Sequence, residues 1–206
     1  MNAIKHAFAA TVLAVAACVA AVPASATTVV TFEGVPDQVL INDYYNGGIA
    51  ANGSSGPNIG VAFTNFSSYV GAGSPSSTIA YNSAAVATST FAAGFQSLNF
   101  LYGFFGTGTI SVFSGLNGTG SLLGTRTFAA DIASLDNAFS AGSVAFSGTA
   151  KSFTLASAVG NAGLDDITFG ASAVPEPATW GLMLTGLGMI GGTVRRRKVK
   201  TAVAYA

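Results

Sequence analysis

Only 8% of the 206 residues are charged, and the chain holds one cysteine, one histidine and one tryptophan. Their positions matter more than their number. Cys18 and His6 lie in the apolar N-terminal stretch and Trp180 near the other end, so residues 27–174 contain neither thiol nor imidazole. That removes Ser-His-Asp and Cys-His catalysis from this segment, together with any zinc or iron site built on His or Cys. It also removes disulfides, although an oxidising compartment would permit them. Cations are scarce here as well. Glu33, Asp37, Asp43, Asp131, Asp136, Asp165 and Asp166 face only Arg126 and Lys151, a net charge of −5 inside a formally neutral chain. With so little to neutralise phosphates, the segment is no nucleic-acid partner.

What is abundant is apolar sequence at the two ends. Lys5 precedes an uncharged stretch from Ala7 to Val22, followed by Pro23 and Ala24-Ser25-Ala26. A basic start, an apolar centre and a small-x-small site make residues 1–26 a secretory signal peptide, cut after Ala26 with Ala24 at the other small position. Val15-Ala16-Ala17-Cys18 loosely fits a lipoprotein box, but the apolar run continues to Val22 and the better cleavage site follows it.

At the other end, Val174-Pro175-Glu176-Pro177-Ala178-Thr179-Trp180 leads into an uncharged run ending at Val194, and Arg195, Arg196, Arg197 and Lys198 follow. As a helix, residues 178–194 reach about 26 Å, close to a bilayer core of about 30 Å. Five cations lie within residues 195–200 and none between Lys151 and the run. This asymmetry keeps the C-terminus cytoplasmic and the body of the chain outside. Pro175 and Pro177 fix φ, withhold backbone donors and push Val174 and Glu176 toward extended geometry, so the helix cannot begin before them. The tripeptide is expected as an exposed extended segment at the outer membrane surface.

This order of parts resembles the PEP-CTERM sorting signal of Gram-negative bacteria, carried here by Pro175, Glu176, Pro177, Thr179, Trp180, Arg195, Arg196 and Arg197. The resemblance implies recognition by a membrane protease of the exosortase family and delivery to the cell surface or an exopolysaccharide matrix. Thr201 to Ala206 extend past the last cation, where such tails often stop sooner. The expected layout is a signal peptide at 1–26, an extracytoplasmic domain at 27–171, the sorting signal at 172–200 and a cytoplasmic tail at 201–206. The signal contains a membrane helix at 178–194 and a basic stop at 195–200.

The central domain reads as all-β. Short runs rich in Val, Ile, Thr and Phe, punctuated by Gly, Asn and Ser, place strands at 28–32, 60–66, 97–104, 108–113, 122–128, 142–146, 151–155 and 165–169. Phe153 and Leu155 alternate with Ser152 and Thr154, as a half-buried strand requires. The spacing predicts an antiparallel β-sandwich. The strands fall short of the roughly 9–11 residues that a membrane barrel needs. Leu116 to Ser121 reads as a hairpin connection, because Asn117-Gly118 readily takes positive φ. Residues 52–57 and 71–75 read as loops.

Two acidic spots flank this domain: Thr31-Phe32-Glu33-Gly34 after the first strand, and Gly163-Leu164-Asp165-Asp166-Ile167 entering the last. The arrangement resembles the jelly-roll sandwiches of carbohydrate-binding modules. That resemblance implies a structural Ca²⁺ held by Glu33 and Asp165, with Asp166 as a further ligand. Solvated acids beside turns are the alternative. Hard carboxylate oxygens suit calcium in a segment without His or Cys. Tyr44, Tyr45, Tyr69, Tyr81 and Tyr102 are available for stacking on sugars, Tyr44-Tyr45 being the most loop-like; the competing reading places such tyrosines in the core. A glycoside hydrolase needs two carboxylates separated by roughly 5–10 Å. Adjacent Asp165 and Asp166 project to opposite faces of a strand, and Asp131 and Asp136 lie in an unremarkable polar stretch. The expected function is therefore a non-enzymatic exported protein without catalytic residues. Its partners are an exosortase-type protease, the membrane before processing and extracellular polysaccharide. A calcium-stabilised carbohydrate-binding module is the alternative.

Overall fold

The computed structural model describes residues 27–170 and 185–188, and the two parts are taken separately. Residues 27–170 contain no helix. Their strands are β1 Thr27–Val30, β2 Val61–Thr64, β3 Phe66–Val70, β4 Thr78–Asn82, β5 Val86–Phe95, β6 Ser97–Phe104, β7 Gly108–Phe113, β8 Leu122–Phe128, β9 Ser140–Val144, β10 Ala150–Ala156 and β11 Ala162–Gly170.

Every pairing is antiparallel. One sheet runs β3-β4-β11-β6-β9, with β1 also paired to β11; the other runs β2-β5-β10-β7-β8. The first strand lies beside the last, and the chain repeatedly crosses between sheets, which is a jelly-roll-like order. The all-β antiparallel sandwich expected from the sequence is thus the observed architecture.

Alternation along the strands builds the core. In β7, Ile110 and Val112 are buried while Thr109, Ser111 and Phe113 are partly exposed; in β10, Phe153 and Leu155 point inward. Phe32, Phe63, Phe66, Phe95, Phe104, Phe153 and Phe169 are among the fully buried side chains. Each contributes about 1.5–3 kcal/mol through burial, and edge-to-face contacts such as Phe63–Phe66 (centroids 5.6 Å, 88°) add orientation. A smaller cluster of Ile79, Ile132 and Phe139 forms on the opposite face of the β3-β4-β11-β6-β9 sheet, because Ile79 alternates with the core residue Ala80.

The segment 38–45 closes one end of both sheets. Ile41 N–H donates to the Phe66 carbonyl at 3.0 Å, and Phe63 N–H donates to the Asn42 carbonyl at 2.9 Å. The outer strands β2 and β3 therefore do not present free backbone for aggregation. The 116–121 connection is the expected hairpin: Asn117 and Gly118 take φ of 55° and 71°, and Thr119 N–H donates to the Leu116 carbonyl at 3.1 Å.

Several expectations need correction. The strand read over 60–66 is two, β2 and β3, broken at Asn65, whose φ of 60° turns the chain. Strands β4 and β5 were not marked in the sequence at all, and β9 and β11 begin before the runs assigned to them. The expected signal peptide with Ala24 and Ala26, the sorting residues Pro175, Glu176, Pro177, Thr179, Trp180, Arg195, Arg196 and Arg197, and the tail at 201–206 lie outside the described residues. Of the expected 178–194 helix, 185–188 are described and form one helical turn. Among the described residues, no helix is long and apolar enough to cross a membrane.

Candidate functional site

Two breaks in regular strand geometry bring the acids flanking the sandwich to a shared segment. After β1, Phe32 adopts φ 59° and Gly34 φ 87°, reversing the chain. Phe32 remains fully buried against Phe63 (5.3 Å) and Tyr45 (6.1 Å), which sends Glu33 outward to the 77–78 backbone. The Glu33 carboxylate accepts the Thr78 N–H at 3.1 Å, with Ser77 Oγ at 3.4 Å. In β11 the pairing with β6 shifts register between Asp165 and Thr168, and Asp166 takes φ 46°. Positive φ on an aromatic and an acid side by side with the two carboxylates concentrates backbone strain at this one place.

Asp165 is 0% exposed. Its Oδ2 accepts Ser74 Oγ at 2.5 Å and also Ser76 Oγ, while its Oδ1 accepts the Asp166 N–H at 2.7 Å. Burial pushes its pKa up; Ser74, Ser76 and the Asp166 N–H oppose that, and the Asp166 charge reinforces it. Ser76 Oγ also lies 3.2 Å from the Thr31 carbonyl oxygen and 3.3 Å from that of Thr78. A hydroxyl carries one proton, so Ser76 donates to one of these three oxygens at a time, while Asp165 Oδ2 keeps Ser74 as a donor throughout.

The Tyr45 hydroxyl is a separate buried polar group, on a residue 4% exposed and without a hydrogen-bond partner among the described residues. Burial chiefly raises its pKa, followed by the fields of Tyr44, Glu33 and Asp165. Hydroxyl, carbonyl and carboxylate oxygens thus gather around residues 74–78, from the buried Asp165 to the exposed Glu33, and oxygens of these kinds suit a hard cation such as Ca²⁺. Among the described residues no three His, Cys, Asp or Glu side chains come together. A cation here would be held by Glu33 and Asp165 together with neutral oxygens from 74–78 and Thr31. Asp166 is half-buried, and no hydrogen bond of its carboxylate is found among the described residues.

Ser74 and Ser76 were not singled out in the sequence, because 71–75 reads as a connection. The hydroxyl-rich Ser74-Pro75-Ser76-Ser77 run was the available signal. The two readings of the tyrosines separate cleanly. Tyr44 is 6% exposed and donates to the Gly34 carbonyl at 2.8 Å; it and Tyr45 belong to the core and cannot stack on a ligand. Tyr102 packs against Phe104 and Phe128. Tyr69 and Tyr81 remain half-buried on β3 and β4. Asp131 accepts the Phe104 N–H at 2.8 Å and Asp136 accepts the Ser134 hydroxyl at 3.1 Å, both roles in shaping the chain.

Residues 173–198 match the model of the PEP-CTERM protein-sorting motif. No curated protein matches the chain significantly. Among solved structures, the chain is similar to a family 29 carbohydrate-binding module at 14% identity and a TM-score of 0.42, covering 73% of this chain and 92% of that one. It is also similar to a carbohydrate-binding module from Clostridium stercorarium in complex with cellobiose, at 16% identity and a TM-score of 0.37, covering 54% and 86%.

Proposed function

We propose that this chain is a non-enzymatic exported protein, delivered through its C-terminal motif to the cell surface or an exopolysaccharide matrix. The observation that carries the reading is the match of residues 173–198 to the sorting motif. In this account a signal peptide at 1–26 is removed after Ala26. The helix at 178–194 holds the chain in the inner membrane with its basic stop at 195–200 in the cytoplasm and the domain in the periplasm. An exosortase-type protease then acts at Pro175-Glu176-Pro177. The proline-flanked tripeptide has no helical hydrogen bonding to lose on entering a cleft, and the helix sets its depth. The absence of thiol and imidazole from 27–174 supports a role without catalysis.

Replacing Glu176 by Ala tests this directly. Cell fractionation and immunoblotting should find the variant exported but retained in the membrane at full mature length; release equal to the natural chain would refute recognition of the tripeptide.

A second reading, a calcium-stabilised carbohydrate-binding module, is favoured by the cluster of oxygens around residues 74–78. Glu33 and Asp165 would hold the ion and fasten the turn after β1 and the bulge in β11 to the 74–78 segment. Asp166 supplies added negative field.

A further inference from the structure

The outer face of the β3-β4-β11-β6-β9 sheet is only partly covered. The 131–139 segment lies over one half, with Ile132 and Phe139 in the small apolar cluster and Leu135 packed against it. Beside it runs an open groove of about 260 Å³, lined by Gln38, Tyr69, Tyr81, Phe105, Leu135 and Gly163 among others. The register explains its form. Tyr81 stands opposite Ser67 on β3 and Gly163 on β11, and Gly163 stands opposite Gly103 on β6. Tyr69 pairs with Ile79, so the two tyrosines are diagonal neighbours on one face, about 7–8 Å apart at their α-carbons. A Cβ on Gly163 would sit 3.0 Å from Ile79 Cδ1 and 3.2 Å from the Phe139 ring, so the glycine lets these side chains close down on the sheet at the inner end of the groove.

The chemistry of the groove is selective. No charged side chain lines it, although the domain around it is acidic. Phe105 is 38% exposed at its rim. The Tyr69 and Tyr81 hydroxyls and the Gln38 amide make no side-chain hydrogen bond among the described residues. Partly exposed aromatic side chains beside uncommitted donors and acceptors suit a ligand with an apolar C–H face and a rim of hydroxyls. The volume falls just below the roughly 300–1,000 Å³ typical of drug-sized ligands, which limits the occupant to about one ring.

We propose that this groove binds one neutral hexopyranose unit of an extracellular polysaccharide, its ring face on Tyr81 and its hydroxyls toward Tyr69 and Gln38. The proposal rests on the export reading, since that is where such a polymer would be met. Its test uses purified full-length protein and does not depend on processing in the cell.

Affinity electrophoresis is run through gels containing konjac glucomannan, galactomannan, hydroxyethyl cellulose or, as the anionic contrast, alginate. The natural chain should be retarded by at least one neutral polymer and not by alginate. Tyr81→Ala should weaken that retardation at least about tenfold, whereas Tyr81→Phe, which keeps the ring, should lose less. Gln38→Ala, at an exposed position, gives a second reading should Tyr81→Ala lower the melting temperature. Retardation by none of the three neutral polymers, or stronger retardation by alginate, overturns the proposal. Full retardation in both Gln38→Ala and a natively melting Tyr69→Ala/Tyr81→Ala variant also overturns it, while leaving contact with polysaccharide elsewhere on the chain intact.

Discussion

A carboxylate without accessible surface is costly unless it is protonated, hydrogen-bonded or paired with a cation. Asp165 has three donors nearby but no basic side chain bonded to it among the described residues. Its folded pKa is raised, so between its unfolded and folded values the folded state binds more protons. Stability therefore falls as pH rises through that window, starting from the ordinary value of 3.8. In chelator, the melting temperature is expected to decline as pH climbs from about 4 toward neutrality, and Asp165→Asn should flatten the decline. Calcium should reverse the loss. With a dissociation constant of about 10⁻⁴–10⁻³ M, the range of extracellular modules, 10 mM Ca²⁺ at pH 7 should add roughly 3–10 °C. Asp165→Asn and Glu33→Gln should each abolish the increment; an unchanged melting temperature in the natural chain would exclude the cation. At this scale the sequence announced the two acids through their place beside the first and last strands. It could not show that Ser74 and Ser76 close on Asp165, because that contact spans about ninety residues and depends on a bulge in β11. Nor could it place Tyr44 and Tyr45 in the core, since Asn46-Gly47-Gly48 around them carries an ordinary loop signature.

At the scale of elements, the 131–139 segment can lie against the sheet because β6 and β11 offer glycine beneath it. A Cβ on Gly103 would fall 2.6 Å from the Phe139 ring and 2.8 Å from Ile132 Cδ1. Gly103→Ala should accordingly lower stability by about 1–3 kcal/mol through overpacking, read as a lower urea midpoint with an unchanged slope. An unaffected midpoint would mean that the segment packs loosely. Strand legibility followed side-chain size. β6, β7 and β8 are rich in Phe, Leu, Ile and Thr, and their limits were readable from composition and bounding glycines. β4 is only five residues long and ends on Asn82, and β5 carries three Ala and one Gly among its ten residues, types that are depleted in strands. In β5 the inward positions Ala87 and Ser89 are small, so its alternation disappears from a hydropathy pattern although both are fully buried.

Across the whole molecule, few charges serve distinct ends: acids occupy the segment 27–174 and cations gather after Val194. Composition alone would suggest a membrane protein. Setting the apolar ends aside leaves a segment whose alternation forms a sandwich, and the match at 173–198 gives one end a sorting role in the proposed account. The most direct measurement is the intact mass of the protein released into the medium, with sequencing of both termini. The account predicts a chain beginning at Thr27 and ending before Trp180, without Arg195, Arg196 and Arg197. Released material that still carries Trp180 and the three arginines would contradict it.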